Sequence, residues 1–460
     1  MTDALPSPVK AQPRLPIEVC ERVIVKVYDG RYAFVLTSLA TLSNCALVCR
    51  AWRPRAQRVL FKYVLLRDKD ALYGFADLLD ASPELGTYMH TLQLRGYLHV
   101  PYSPAVLFLT ALRGKLTNLV ELYIYDFDDD EKAASPLPEG EKELPYLPIH
   151  RYVPSLLTSI SHIRKLEISD VSFPSFGDFA RFLNALSNLT TLYCYRISWA
   201  VLGLDPICMV TRSSSNSRKM FLPNLEKLIC FDMDERGRQR LLSVLGPSLH
   251  MLWIKFPDGS PAVQMRPRRV APSLALNLRS FPCLDILGCR IAPFPRPDRT
   301  LESLRDTLVS WMASSDDVVG DVSPSQRYLH LRPCARGDFQ RKEFVELLRT
   351  IGPVVEAALC RRETAEGDLQ DQTSGDTGDR PETNPCRAAL LVQNLGDRLE
   401  WDGWWRTAVA ECFPTLWRWK RLYVFPMHAY FPTEEWHDHG LTPQDYADRA
   451  ARNGGSPPPP

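Results

Sequence analysis

The chain has 460 residues, more than one ordinary domain holds, and its 55 Lys+Arg against 54 Asp+Glu leave a net charge of +1, so no global excess draws it to nucleic acid or an anionic membrane. With 45% hydrophobic and 24% charged residues it lies in the globular range, which excludes a largely disordered or collagen-like polymer. Its 38 prolines predict many short elements and exclude a long coiled coil, no apolar run reaches the ~18–20 residues that span a bilayer, and the opening MTDALPSPVK lacks a secretory apolar core. A cytoplasmic or nuclear location is expected.

Residues 1–13 read as a loose, proline-rich leader. From Leu15, LPIEVCERVIVKVY places Val19, Val23, Ile24, Val27 and Tyr28 on one helical face, with Pro16 where a first turn tolerates it. Asp29-Gly30 reads as its stop. Leu36, Leu39 and Leu42 form a second apolar set, after which Ser43 or Asn44 is expected to cap a further helix carrying Ala46, Leu47, Val48 and Trp52. Pro54 is expected to open another, with Ala56, Val59, Leu60 and Tyr63 inward. Residues 14–66 thus read as three or four short helices, a size at which a lone core is marginal and outside packing is the usual remedy. Residues 14–69 carry eleven Lys/Arg against four Asp/Glu, which favours an acidic partner, with a solvated basic face as the alternative.

A second texture follows from residue 67. NLVELYIYDF, HIRKLEISDV, NLTTLYCYRI, NLEKLICFDM, SLHMLWIKF and CLDILGCRI share one pattern: apolar, two variable, apolar, one variable, apolar. Their middle leucines, preceded by Leu92, are Leu122, Leu166, Leu192, Leu228, Leu252 and Leu287, at irregular intervals of 24 to 44 residues. Helix-like stretches such as PAVLFLTALRGKL and SFGDFARFLNALS separate them. Strands alternating with helices predict parallel pairing, stacked unit by unit through right-handed crossovers into a curved array over 67–362. The pattern returns at Tyr328, Ala388 and Arg421, with helical stretches at 339–359 and 401–412, so 387–440 reads as last units or a cap. Between these lies an acidic insertion, 363–386, read as disordered; from Glu363 to Pro385 it holds seven acidic residues against only Arg380. Residues 441–460 read as a loose proline-rich tail.

The chemistry-bearing patterns are missing. No glycine-rich phosphate cradle, nucleophile elbow, zinc-protease helix or dinucleotide fingerprint occurs. The twelve cysteines include no Cys-x-x-Cys pair and are expected to be reduced, with Cys194, Cys230 and Cys289 as buried strand thiols. His437, Asp438 and His439 are dense but loop-like, with no third ligand nearby. The expectation is a non-enzyme without metal or cofactor.

The segment from Leu15 to Phe61 resembles the F-box. Leu15, Pro16 and Glu18 match the Leu-Pro-x-Glu opening of that family, and Val48, Cys49, Arg50 and Trp52 match its Val-Cys-Arg-x-Trp close. The later part is similar to the irregular leucine-rich repeats that often follow F-boxes, and the wider texture is similar to F-box families of mushroom-forming fungi. The resemblance implies an α+β protein overall: a small all-helical F-box module followed by a right-handed α/β leucine-rich-repeat-like solenoid. It also implies a substrate-recognition subunit of a Skp-Cullin-F-box ubiquitin ligase, docked on the small Skp-type adaptor and through it a cullin, binding a protein substrate but no nucleic acid or membrane. A protein-binding scaffold without a ligase role is the alternative. Carried over by position, Leu15, Pro16, Val19, Leu47, Val48 and Trp52 fall on the adaptor-facing surface or its support. The loop DGRYAFV departs from the family in length and polarity, and Phe61 stands where Trp is common.

Alternation along each strand points the repeat leucines inward and the variable residues to the opposite face. Tyr123, Tyr125, Tyr193, Tyr195, Phe231 and Trp253 are the expected substrate-binding stripe, with Lys255 and Arg290 nearby. Exposed aromatics beside cations have the composition of a recognition surface. The alternative is that other segments cover these rings.

Overall fold

The computed structural model describes residues 16–27, 35–127, 132, 137, 142–150, 152–201, 221–233, 235–256, 275–291, 297–314, 327–333, 341–360, 388–393 and 403–425. The chain divides into two compact units, Met1–Leu189 with Trp199–Gly203, and Thr190–Ser198 with Leu204–Pro460.

The first unit starts with helices α1 (Ile17–Val27), α2 (Val35–Val48) and α3 (Arg53–Leu60). Ile24, Leu42 and Ala56, one from each, are buried together, with Val27, Cys45, Ala46, Trp52, Val59 and Leu60 packed around them. Four strands of one parallel row follow among the described residues, β1 (Tyr63–Leu66), β2 (Thr91–Gly96), β3 (Glu121–Asp126) and β4 (Lys165–Ser169). They pair in parallel and in chain order, so Leu92, Leu122 and Leu166 are register partners. Four helices accompany them, α4 (Lys69–Ala81) packed on β1, α5 (Pro104–Ala111) packed on β2, and α6 (Val153–Leu157) and α7 (Phe176–Asn184) packed on each other; the side chains of β3 and β4 alternate buried and half-buried, as strands covered on one face do. The helices start where capping chemistry dictates: Asp68 accepts the Ala71 N–H at 2.7 Å, and Ser175 accepts that of Asp178 at 3.1 Å. Around α7 the rings of Phe173, Phe176, Phe179 and Phe182 pack on one another, with Trp199 against Phe176 at 5.3 Å.

The second unit carries seven parallel strands, again in chain order: β5 (Thr191–Tyr195), β6 (Lys227–Phe231), β7 (Met251–Phe256), β8 (Ile286–Ile291), β9 (Arg327–Pro333), β10 (Ala388–Gln393) and β11 (Leu422–Phe425). Leu192, Leu228, Leu252, Leu287, Leu329, Leu390 and Leu422 form one unbroken register row, and all are buried. Helices α8 (Glu235–Val244), α9 (Pro297–Ala313), α10 (Arg341–Leu359), α11 (Gly403–Cys412) and α12 (Pro414–Arg418) accompany them. Trp311 of α9 is wholly buried and donates its indole N–H to the Leu284 carbonyl at 2.8 Å. Beside it the buried Arg327 guanidinium donates to the Trp311 carbonyl and, at 3.1 Å, to Ser314 Oγ, which offsets much of the cost of burying that charge. Cys194, Cys230 and Cys289 are buried, and burial pushes the Cys289 thiol up to about 12, leaving it protonated and inert.

The α+β expectation, with a small all-helical module ahead of a separate solenoid, is overturned. Among the described residues, eleven strands paired in parallel with helices between them, four in one unit and seven in the other, make an α/β fold, and no separate helical module is evident. The physical reason lies at the end of α3. Tyr63, expected on the inner side of a helix, opens β1, because Tyr-Val-Leu-Leu is an apolar run that the β2 edge pairs. The Lys62 carbonyl accepts the N–H groups of both His90 and Thr91, and the Phe61 ring stacks on Phe75 of α4 at 6.4 Å. The α3 end is therefore built into the strand layer. Ser43 and Asn44, expected as caps, lie within one continuous α2 with their side chains exposed.

Candidate protein-docking surfaces

The helix α1 carries apolar residues on more than one side. Ile24 takes the inward place, while Ile17, Val19, Val23 and Val25 remain exposed, Val23 at 55%. The C-terminal end of α2 repeats this: Leu47 is 75% exposed and Val48 64%. Lone exposed aliphatics are ordinary, whereas several on one short element make it a candidate docking surface. Cations are also exposed on these elements, Arg22 and Lys26 on α1, Arg50 in the following turn, and Arg53 and Arg58 on α3.

The expected adaptor-binding residues separate into groups. Val19, Leu47 and Val48 are exposed, as is Pro16, whose carbonyl accepts the N–H groups of Val19 and Cys20 in the first turn. Trp52 is half-buried against the Ile24–Leu42–Ala56 cluster and supports the helices from within. Leu15 lies outside the described residues, as do the loop 28–34, the insertion 363–386, the tail and His437, Asp438 and His439. Ile17, Val23 and Val25, outside the expected contact residues, are exposed as well; Ile17 and Val25 lie off the helical stripe of Val19, Val23, Ile24 and Val27 that the sequence predicts.

The aromatic stripe departs from expectation. Tyr123 and Tyr125 in the first unit are half-buried, 5.9 Å apart ring to ring, and Tyr123 donates its hydroxyl to Glu121 at 2.9 Å. In the second unit Tyr193 and Tyr195 are half-buried, but Phe231 is only 7% and Trp253 only 6% exposed. These two are corrected from surface to core. They belong to a buried cluster with Ile229, Met251 and Ile286, against which Tyr193, Tyr195 and Tyr328 pack. Successive rings touch: Tyr195 on Phe231 at 5.6 Å, Phe231 on Trp253 at 6.4 Å, Trp253 on His330 at 4.7 Å. Large rings on adjacent strands cover one another, and Gly288, the register partner of Trp253, makes the space; a Cβ there would lie 2.1 Å from the indole. His330 is buried in this cluster, and burial with the nearby Arg332 charge brings its imidazole down to about 3, so it stays neutral.

Cations border these rings. Lys255, Arg290 and Arg332 are consecutive register partners near the ends of β7, β8 and β9. Lys255 pairs with Asp232, and the Arg290 guanidinium lies over the Phe231 ring at 4.7 Å.

One further cluster has metal-like composition: ligand atoms of His99, Asp126 and Glu143 lie within 4.8 Å of one another. Lys132 Nζ sits 3.0 Å from Asp126 and 2.6 Å from Glu143, so an ammonium already supplies the cation. The Ser172 N–H donates to His99 Nε2 at 3.1 Å, leaving Nδ1 to face Asp126 at 3.2 Å. Burial alone would raise the Asp126 carboxyl; hydrogen bonds from His99, the Leu98 N–H and Lys132, with the His99 charge, hold it below the usual carboxylate range. The group joins the Tyr97–His99 turn, the end of β3 and the segment around Ser172, and reads as structural.

Among the described residues no helix is long and apolar enough to cross a membrane. No protein-family model matches the chain, and no curated protein matches it either.

Proposed function

We propose that the chain is a substrate-recognition subunit of a Skp-Cullin-F-box ubiquitin ligase. In this reading α1 to α3 act as an F-box-type docking element for a Skp-type adaptor, which links the chain to a cullin, and the strand units hold a protein substrate. The observation that carries it is the bare aliphatic set Val19, Val23, Leu47 and Val48, on elements whose own core is already filled by Ile24, Leu42 and Ala56. An apolar surface left over after internal packing is explained by another chain covering it. The exposed Arg and Lys residues around it favour an acidic partner surface and faster encounter. The chain performs no chemistry itself in this reading and works in the cytoplasm or nucleus.

The test is reconstitution of the full chain with purified Skp-type adaptor and cullin, followed by size-exclusion chromatography. A ternary complex supports the reading. Adaptor binding without cullin recruitment would favour a protein-binding scaffold with no ligase role, and absence of adaptor binding would remove the proposal.

A further inference from the structure

Strand register sets three like charges side by side. Lys255, Arg290 and Arg332 occupy successive partner positions, and like charges directly opposite one another destabilise a sheet unless an anion lies between them. Asp232 neutralises Lys255, but no ion pair of Arg290 is found among the described residues. Its guanidinium is fixed over Phe231 at 4.7 Å, and its Nε is buried without a hydrogen-bond partner. A cation held by a ring and lacking a counter-charge is pre-organised for an anion, since its position is fixed before the ligand arrives. The alternation that places Lys255 beside Trp253 and Arg290 beside Gly288 puts cations and rings on the same strand face. Tyr193 and Tyr195 border it, half-buried, and supply amphipathic contact area.

We infer that Arg290 is the centre of an anion subsite on β7–β9 that takes a carboxylate side chain from an acidic segment of the protein substrate. The inference rests on the substrate-receptor reading above and adds the substrate's chemical class. A carboxylate suits Arg290, because Lys255 is already paired with Asp232 and Arg332 has interactions of its own, so Arg290 calls for a single negative charge. Arginine also offers the planar fork that receives a carboxylate bidentately.

Fluorescence anisotropy of the full chain with a short fluorescein-labelled peptide of alternating glutamate and leucine, against its glutamine–leucine twin, tests the subsite. The glutamate peptide should bind at least about tenfold more tightly, a difference that shrinks as salt is raised. Arg290→Gln should erase that preference in a chain that still melts cooperatively, while Arg290→Lys, which keeps the charge but loses the fork, should retain part of it. Equal binding of the two peptides, or a preference that survives Arg290→Gln, would overturn the inference. Adaptor capture is measured on the same samples. Its loss counts against the receptor reading, whereas loss of peptide preference with adaptor capture intact counts against the subsite alone.

Discussion

The first helices and the strand face of the second unit are both rich in apolar side chains, yet they dispose of them in opposite ways. In α1 and α2 the inner places are filled by Ile24, Leu42 and Ala56, and the remaining aliphatics, Leu47 and Val48 above all, face solvent. On the strand face, Phe231 and Trp253 are buried by rings from neighbouring strands. The contrast is geometric. A short helix presents only a narrow stripe to each neighbour, so a helix with apolar residues on several sides needs several neighbours. Parallel strands bring a same-face side chain about every 4.8 Å across the sheet, so large rings in adjacent register bury one another without a second layer. Apolar composition alone therefore does not identify an interface; what matters is whether the chain's own neighbours can reach the side chain.

The largest expected effect breaks the buried side of this comparison. Trp253→Ala should cost about 3–5 kcal/mol of folding stability, read by chemical denaturation, because it empties the centre of the ring cluster. A loss within the ~0.5 kcal/mol typical of surface changes would return Trp253 to the surface. Gly288→Ala should cost about 1–3 kcal/mol by forcing the indole off its seat.

Acid sharpens the same point. The His330 imidazole is depressed to about 3 in the folded chain from an ordinary 6.5. Between those values the unfolded state binds the extra proton, so the contribution is full above about pH 6.5 and is lost as pH falls. Stability should decline with acidification by up to about 1.4 kcal/mol per pH unit from this group, and His330→Leu should flatten that slope in denaturation curves taken across the range. An unaltered slope would show that His330 is not buried neutral. The smallest effect concerns a local device: Ser175→Ala should cost about 1 kcal/mol through loss of the α7 cap, with no change in adaptor binding.

Much of the strand layer was legible because each strand repeats its leucine at the same place. Leu92, Leu122 and Leu166, and then Leu192 through Leu287, meet as register partners in their respective units. Tyr63 and its neighbours were not legible, since Ala56, Val59, Leu60 and Tyr63 satisfy helical spacing while only the edge of β2, distant in sequence, makes residues 63–66 a strand. Ser43 and Asn44 misled for a related reason: capping residues are tolerated inside a helix when their side chains face water. Alternation correctly set the side of the sheet that Phe231 and Trp253 occupy, but not their depth. Depth depends on Tyr195, Gly288 and His330, which reach them only through pairing across the sheet. The exposure of Leu47 and Val48 was equally hidden, because an apolar helical position reads the same whether or not another element covers it.

The central claim is that the α1–α2 aliphatics are a docking surface, and Leu47→Asp with Val48→Asp tests it most directly. Calorimetric titration of a Skp-type adaptor into the full chain should show the double variant weakened by at least about 2 kcal/mol, roughly thirtyfold. Its melting temperature should remain that of the wild type, because both side chains already sit in water. Unchanged adaptor affinity in a folded double variant would contradict the account.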